Sequence, residues 1–206
     1  MQDTATLSNK KFLIKWVSQT AIVMFFGLFI SFAVEFFITS FLESYLSPGL
    51  AAAIGYCFMG GGLGTLIGLI QWRLLHKKIA ISATWILTAA GGLAISELVV
   101  GLALWIIGSN RDLDIDGQGI LIYMLIYLVG GVIVGLLQQF VLEGNGFKAN
   151  KWVSVCTLGW GLSFLIFLLG TQLDHFLKIF TAFFIGGLVF GIITGIPMLK
   201  IIDEKK

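Results

Sequence analysis

Polar residues are sparse along this chain, and the apolar ones come in long runs. Six runs stand out, at about 12–40, 50–72, 83–107, 119–142, 152–171 and 178–202. Each approaches or exceeds the roughly 20 residues that cross a hydrocarbon core of about 30 Å. They are apolar all round. Barrel strands would alternate polar and apolar positions, so the runs read as helices. The connections between them are short, which makes successive helices antiparallel neighbours and leaves no room for a soluble domain. The pattern predicts an all-α integral membrane protein of six transmembrane helices, a single transmembrane domain over 1–206.

Within the runs, small and polar residues recur at a fixed spacing. Gly64, Gly68 and Gln71 are followed by a basic turn and then by Trp85, Gly92 and Ser96. Gly131, Gly135 and Gln138 are followed by a turn and then by Trp152, Gly159 and Ser163, with the same offset at all six positions. Positions i, i+4 and i+7 share one helix face. Glycines at this spacing let two backbones approach closely, which drives association where lipid is as apolar as the protein. A glutamine at the end of such a face can hydrogen-bond across the contact, and a tryptophan where a span leaves the headgroup layer stands at the usual depth of an indole.

The last and first spans carry weaker versions of the two halves. The last has Gly187, Gly191 and Thr194, with threonine in the place of glutamine. The first has Trp16, Val23 and Gly27, with valine in the place of the first glycine, while Lys15-Trp16-Val17-Ser18 repeats Lys151-Trp152-Val153-Ser154. Read together, spans six and one are the two halves of a split third hairpin in a pseudo-threefold arrangement of parallel repeats around an axis along the membrane normal. Counting depth from the tryptophans sets Gly64 opposite Gly92, Gly131 opposite Gly159, and Gly187 opposite Val23. The bulk of Val23 should then make the third contact the widest.

The stretch from Gly64 to Arg73 with Trp85 to Ser96 resembles a pattern in a group of uncharacterised multi-pass membrane proteins of Gram-positive bacteria and cyanobacteria. Gly131 to Gln139 with Trp152 to Ser163 is similar, but Gln139 stands where that pattern has tryptophan. The group has no established activity, so the resemblance implies a multi-pass membrane protein and carries over no functional residue.

Composition agrees with the span pattern. Of 206 residues, 58% are hydrophobic and 12% charged, and the mean hydropathy is +0.99. Soluble domains carry roughly 25% charged residues. A net charge of +2 gives no sign of nucleic acid as a partner. The sign of the charge is uneven along the chain. Lys10, Lys11, Lys15, Arg73, Lys77, Lys78, Lys148, Lys151, Lys200, Lys205 and Lys206 fall on one side of the predicted spans, against Arg111 and Lys178 on the other. By the positive-inside rule both termini are cytoplasmic, and the expected location is the bacterial inner membrane. Glu43, Asp112, Asp114, Asp116 and Asp174 then face outward. The start resembles a signal peptide superficially, but the run from Phe12 to about Ser40 is too long and lacks a clear cleavage site, so it reads as an uncleaved span. Cys57 and Cys156 fall in different halves of the membrane and should be free thiols. The basic turn at 73–78 should meet anionic headgroups. A membrane-protein partner or a second copy of the chain is a further expected class of partner, beside the lipid bilayer itself.

Charges inside spans are costly and mark functional candidates. Glu97 lies twelve residues beyond Trp85, about 18 Å into the membrane. Phe164 stands at the matching position of the second copy, so the carboxylate is not part of the repeat's packing. It either lines a polar cavity or is protonated and hydrogen-bonded locally. Glu35 lies near the outer end of its span. Gln71, Gln138 and Thr194 are either a polar constriction around an axis or interhelical hydrogen-bonding groups. His76 and His175 sit at opposite faces, which argues against a metal site. Gly60-Gly61-Gly62 lacks the Lys-Ser/Thr of a phosphate loop, and no catalytic signature or cofactor motif is present. The expectation is a non-enzymatic membrane protein serving a structural, accessory or partner-binding role. The alternative is a small permease or channel-like protein using Glu97 as a binding or proton-coupling carboxylate.

Overall fold

The computed structural model describes residues 2–108, 117–171 and 176–204. It contains six helices, α1 (Gln2–Leu42), α2 (Pro48–Ile79), α3 (Thr84–Gly108), α4 (Gly117–Gly144), α5 (Trp152–Thr171) and α6 (Phe176–Asp203). Each includes a stretch long and apolar enough to cross a membrane. Large side chains on their outer faces, such as Phe37, Leu87, Phe140 and Leu169, are exposed, as lipid-facing residues are. The chain is a six-helix, multi-pass membrane protein. The expected loop residues Arg111, Asp112, Asp114, Asp116, Asp174 and His175 lie outside the described residues, as do Lys205 and Lys206.

Two helices outrun their apolar cores. α1 begins about ten residues before the expected start, and α2 continues through the basic segment expected to form a turn. Arg73, His76, Lys77 and Lys78 therefore sit on the last turns of α2, where cations meet the negative end of the helix dipole. The helix stops at Ala80, which takes a left-handed conformation (φ 48°) and donates its N–H to His76 O. Trp72 Nε1 donates to Ile81 O at 3.1 Å and His76 Nδ1 lies 3.1 Å from the same oxygen, which pins the turn beyond Ala80.

Each helix packs on its chain neighbours, and α6 packs on α1, so the six close into a ring. Asn9 ties the closure at the end that carries the termini. It donates to Asp203 Oδ2 at 2.9 Å and accepts from Lys78 Nζ at 3.3 Å, which joins α1, α2 and α6.

Three seams of the ring share one geometry. A methyl group added at Gly64 would stand 2.8 Å from Ala90 Cα, at Gly131 2.7 Å from Thr157 Cα, and at Gly187 2.7 Å from Ala21 Cα. One turn along, the corresponding distances are 3.0 Å for Gly68 to Ile86 Cα, 2.8 Å for Gly135 to Val153 Cα and 2.8 Å for Gly191 to Val17 Cα. Ala90, Thr157 and Ala21 each lie five residues after a tryptophan, and Ile86, Val153 and Val17 one residue after it. At all six glycines a Cβ would press on the partner's backbone, so only glycine permits this approach.

The expected glycine-to-glycine pairing is corrected by these contacts. Gly92 lies against Val134 of α4, and Gly159 against Phe190 of α6, so both serve the neighbouring seams. The α1 atoms nearest Gly187 belong to Ala21 and Met24 rather than Val23, and this third contact is as close as the other two, not wider. The reason is the direction of the side chain. A helical side chain leans toward its own N-terminus. Each indole reaches back about half a turn to its glutamine or threonine, so the backbones lie two residues out of the register that the Trp–Gln pairing alone implies.

The alternate seams set a glycine against a side chain of the neighbouring helix. Gly130 faces Ser96 and Gly186 faces Ser163, whereas Gly27 receives Leu63. Gly27 and Leu63 exchange the small side of that contact, so the motif's departure in the first span has a packing counterpart in the second.

Candidate functional site

At the end of the ring that carries the termini, the three tryptophans converge. Trp16, Trp85 and Trp152 are buried, and the rings of Trp85 and Trp152 stand 5.9 Å apart. Trp85 Nε1 donates to Gln71 Oε1 at 3.3 Å, Trp152 Nε1 to Gln138 Oε1 at 3.1 Å and Trp16 Nε1 to Thr194 Oγ1 at 3.0 Å. Gln71, Gln138 and Thr194 are thus buried partners in interhelical hydrogen bonds, the second of the two roles expected for them. Thr194 completes its valence by donating to Phe190 O, and Cys156 Sγ lies 3.7 Å from Gln138 Oε1. Leu75, Leu142 and Met198, one turn beyond each polar partner, belong to the same buried cluster. This layer packs the middle of the ring with aromatic and aliphatic side chains.

Deeper in the bundle the packing opens. A cavity of about 70 Å³ is lined by residues from all six helices. Glu97 lines it and is itself 5% exposed. Tyr127 Oη donates to Glu97 Oε2 at 3.4 Å, and the Tyr127 ring stacks on Phe164 at 3.6 Å between centroids. Phe167 stacks on Phe183 at 4.3 Å, and both rings also line the cavity. Ser163 donates to Gly186 O at 2.8 Å. Trp160 also lines the cavity, and its Nε1 is buried without a hydrogen-bond acceptor among the described residues. A methyl group at Gly60 would collide with Cβ and Cγ of Glu97, so the glycine makes the space that the carboxylate side chain occupies.

The lining residues fall at fixed offsets from the three tryptophans and from Gly64, Gly131 and Gly187. Eight residues after each tryptophan come Met24, Leu93 and Trp160, and twelve after come Leu28, Glu97 and Phe164. Four residues before the first motif glycine come Gly60, Tyr127 and Phe183. All nine line the cavity. The termini-side layer keeps the same residue types in each copy, apart from threonine for glutamine and methionine for leucine. The cavity layer differs in every copy.

Of the candidates read from the sequence, Glu97 is in the cavity and Glu35 is not. Glu35 Oε1 accepts from Thr39 Oγ1 at 3.0 Å on its own helix, and both lie against Gly55. Cys57 and Cys156 are free thiols. Among the described residues no group of acidic, histidine or cysteine side chains could hold a metal ion. The sequence reading missed Gly60, Tyr127, Trp160 and Phe183. Their signal was present in the repeat frame, one turn away from the motif positions. Comparison with family models, with curated proteins and with solved structures finds no match.

Proposed function

We propose that this chain is a solute-binding membrane protein of carrier type, with its binding site in the cavity around Glu97. One observation carries the reading, a cavity bordered by all six helices that contains a buried carboxylate. An intramembrane ionisable group facing the bundle interior is a mark of substrate and ion pathways. Sites between repeated hairpins near mid-membrane are the usual place for such binding. The tryptophan layer serves as the closed barrier on one side of the site. In this reading the three hairpins, the third split between α6 and α1, form a pseudo-threefold frame, and the frame's differences make the site. The lysine-rich end faces the cytoplasm, and the bilayer is the bacterial inner membrane. No catalytic role is assigned.

A second reading, a structural or accessory subunit, is favoured by the glycine seams, which serve close packing alone. The two readings separate on access to the cavity. In a Cys57→Ala, Cys156→Ala background, Ser163→Cys places a thiol on the cavity wall. The carrier reading expects a small impermeant thiosulfonate reagent to modify it when applied at the end opposite the tryptophan layer, and not when applied from the layer's side. Failure to label from either side would favour the accessory reading.

A further inference from the structure

The cavity around Glu97 has a chemistry that selects its ligand, and the ligand assigned from it presupposes the carrier reading. Among the described residues that line the cavity, Glu97 is the only acidic side chain, and there is no lysine, arginine or histidine. The remaining lining is almost wholly apolar and rich in rings, with Phe32, Tyr127, Trp160, Phe164, Phe167 and Phe183 all contributing. A carboxylate with no basic residue beside it, set among aromatic side chains, complements a positive charge twice over. The carboxylate attracts it directly, and ring faces within about 6 Å attract it through their quadrupoles.

The kind of cation is set by what the cavity lacks. A bare metal ion such as calcium or magnesium takes about six oxygen ligands. Among the described side chains the cavity supplies one carboxylate and the Tyr127 and Ser163 hydroxyls, fewer oxygens than that shell takes. An alkylammonium needs no such shell, because its substituents are satisfied by apolar contact. Size sets a further limit. One water needs roughly 10–15 Å³ of cavity measured the same way, so 70 Å³ admits a small molecule and not a drug-sized one.

We infer that the cavity binds a small organic cation, an amine or quaternary ammonium carrying short apolar substituents. Glu97 balances its charge, and the rings of Phe164, Phe167, Phe183 and Trp160 enclose its alkyl groups. Gly60 is part of the specificity, because any larger residue there would displace the carboxylate.

The test uses the full chain in lipid nanodiscs and three probes built on a centre bearing methyl groups, the cation tetramethylammonium, the neutral tert-butanol of like size and the somewhat larger anion pivalate, read by calorimetry and by tryptophan fluorescence. The expected result is saturable tetramethylammonium binding and no pivalate binding. Glu97→Gln should weaken tetramethylammonium at least tenfold and leave tert-butanol binding unchanged, which also shows that the cavity is intact. Phe164→Leu keeps the carboxylate and should weaken tetramethylammonium roughly three- to thirty-fold, the range from an exposed to a desolvated cation–π contact. If tert-butanol binds as well as tetramethylammonium, or if Glu97→Gln binds both as wild type does, the cation assignment is overturned while the solute-site reading stands. If none of the three probes binds and Ser163→Cys is also unlabelled, both are overturned.

Discussion

Replacing Gly131 with alanine should test the seam geometry in a way that yields a number. The new methyl group would lie 2.7 Å from Thr157 Cα and 3.1 Å from Cys156 O. Comfortable contact between carbon atoms is about 3.5–4.0 Å. The obstructing atoms are backbone, so α5 must retreat by about 1 Å along the whole contact. Overpacking of this kind costs about 1–3 kcal/mol. Alanine also gains about 0.8–1.0 kcal/mol over glycine in a helix interior. That gain is measured separately at Gly91, where an added methyl meets nothing within 4 Å. The difference between Gly131→Ala and Gly91→Ala therefore isolates the steric cost, about 1–3 kcal/mol. Gly64→Ala and Gly187→Ala should fall in the same range, since their distances to the partner Cα are 2.8 Å and 2.7 Å. Unfolding by sodium dodecyl sulfate in mixed micelles, followed by tryptophan fluorescence, measures all four. If Gly187→Ala behaves like Gly91→Ala while the other two destabilise, α6 does not close on α1 as α2 does on α3.

Three further outcomes are expected from the same contacts. Cysteines at positions 21 and 187 should crosslink, because a Cβ at Gly187 would lie 3.4 Å from Ala21 Cβ, and the retreat of about 1 Å that a side chain at 187 forces keeps the pair within about 3.5–4.5 Å of each other; absence of a crosslink under mild oxidation would contradict the ring closure. Double-mutant cycles on Trp152 with Gln138, and on Trp85 with Gln71, should each give a coupling near 0.6 kcal/mol and at most about 1.7 kcal/mol, the range of hydrogen bonds in membrane proteins; zero coupling would mean that the indoles contribute packing alone. Reporter fusions at position 112 and after Glu204 should report opposite sides of the membrane, with the latter cytoplasmic, and a common side would refute the six-span count.

The seams were legible because their cause is local. Gly64, Gly68 and Gln71 fall on one face by helix geometry, and Trp85 follows Gln71 by the same fourteen residues that separate Trp152 from Gln138. Which residue meets which glycine was not legible. It depends on the lean and length of the indole, and the sequence spacing counts only the backbone. That α1 and α2 extend beyond their apolar runs was not legible for a related reason. Arg73, Lys77 and Lys78 mark where a span leaves the hydrocarbon, but a helix can continue into the headgroup layer, and α2 does so to Ile79. Glu97 could be singled out because a carboxylate in an apolar run has few bland explanations. Its surroundings could not. Tyr127, Phe183 and Trp160 are ordinary residues of membrane helices, and only the closure of the ring brings three distant segments around one carboxylate.

A carrier of this design needs an axis that is open to solvent around Glu97 and filled at the tryptophan layer. Fluorine NMR of the 5-fluorotryptophan protein in nanodiscs reads both levels at once, because a fluorine in contact with water shifts between H2O and D2O. The six tryptophans are assigned by single Trp→Phe replacements. Trp160, at the cavity, should show the solvent isotope shift, while Trp16, Trp85 and Trp152 should show none. A silent Trp160 would mean a dry core with no solute site, and a shift at the three layer tryptophans would mean that the barrier is not there.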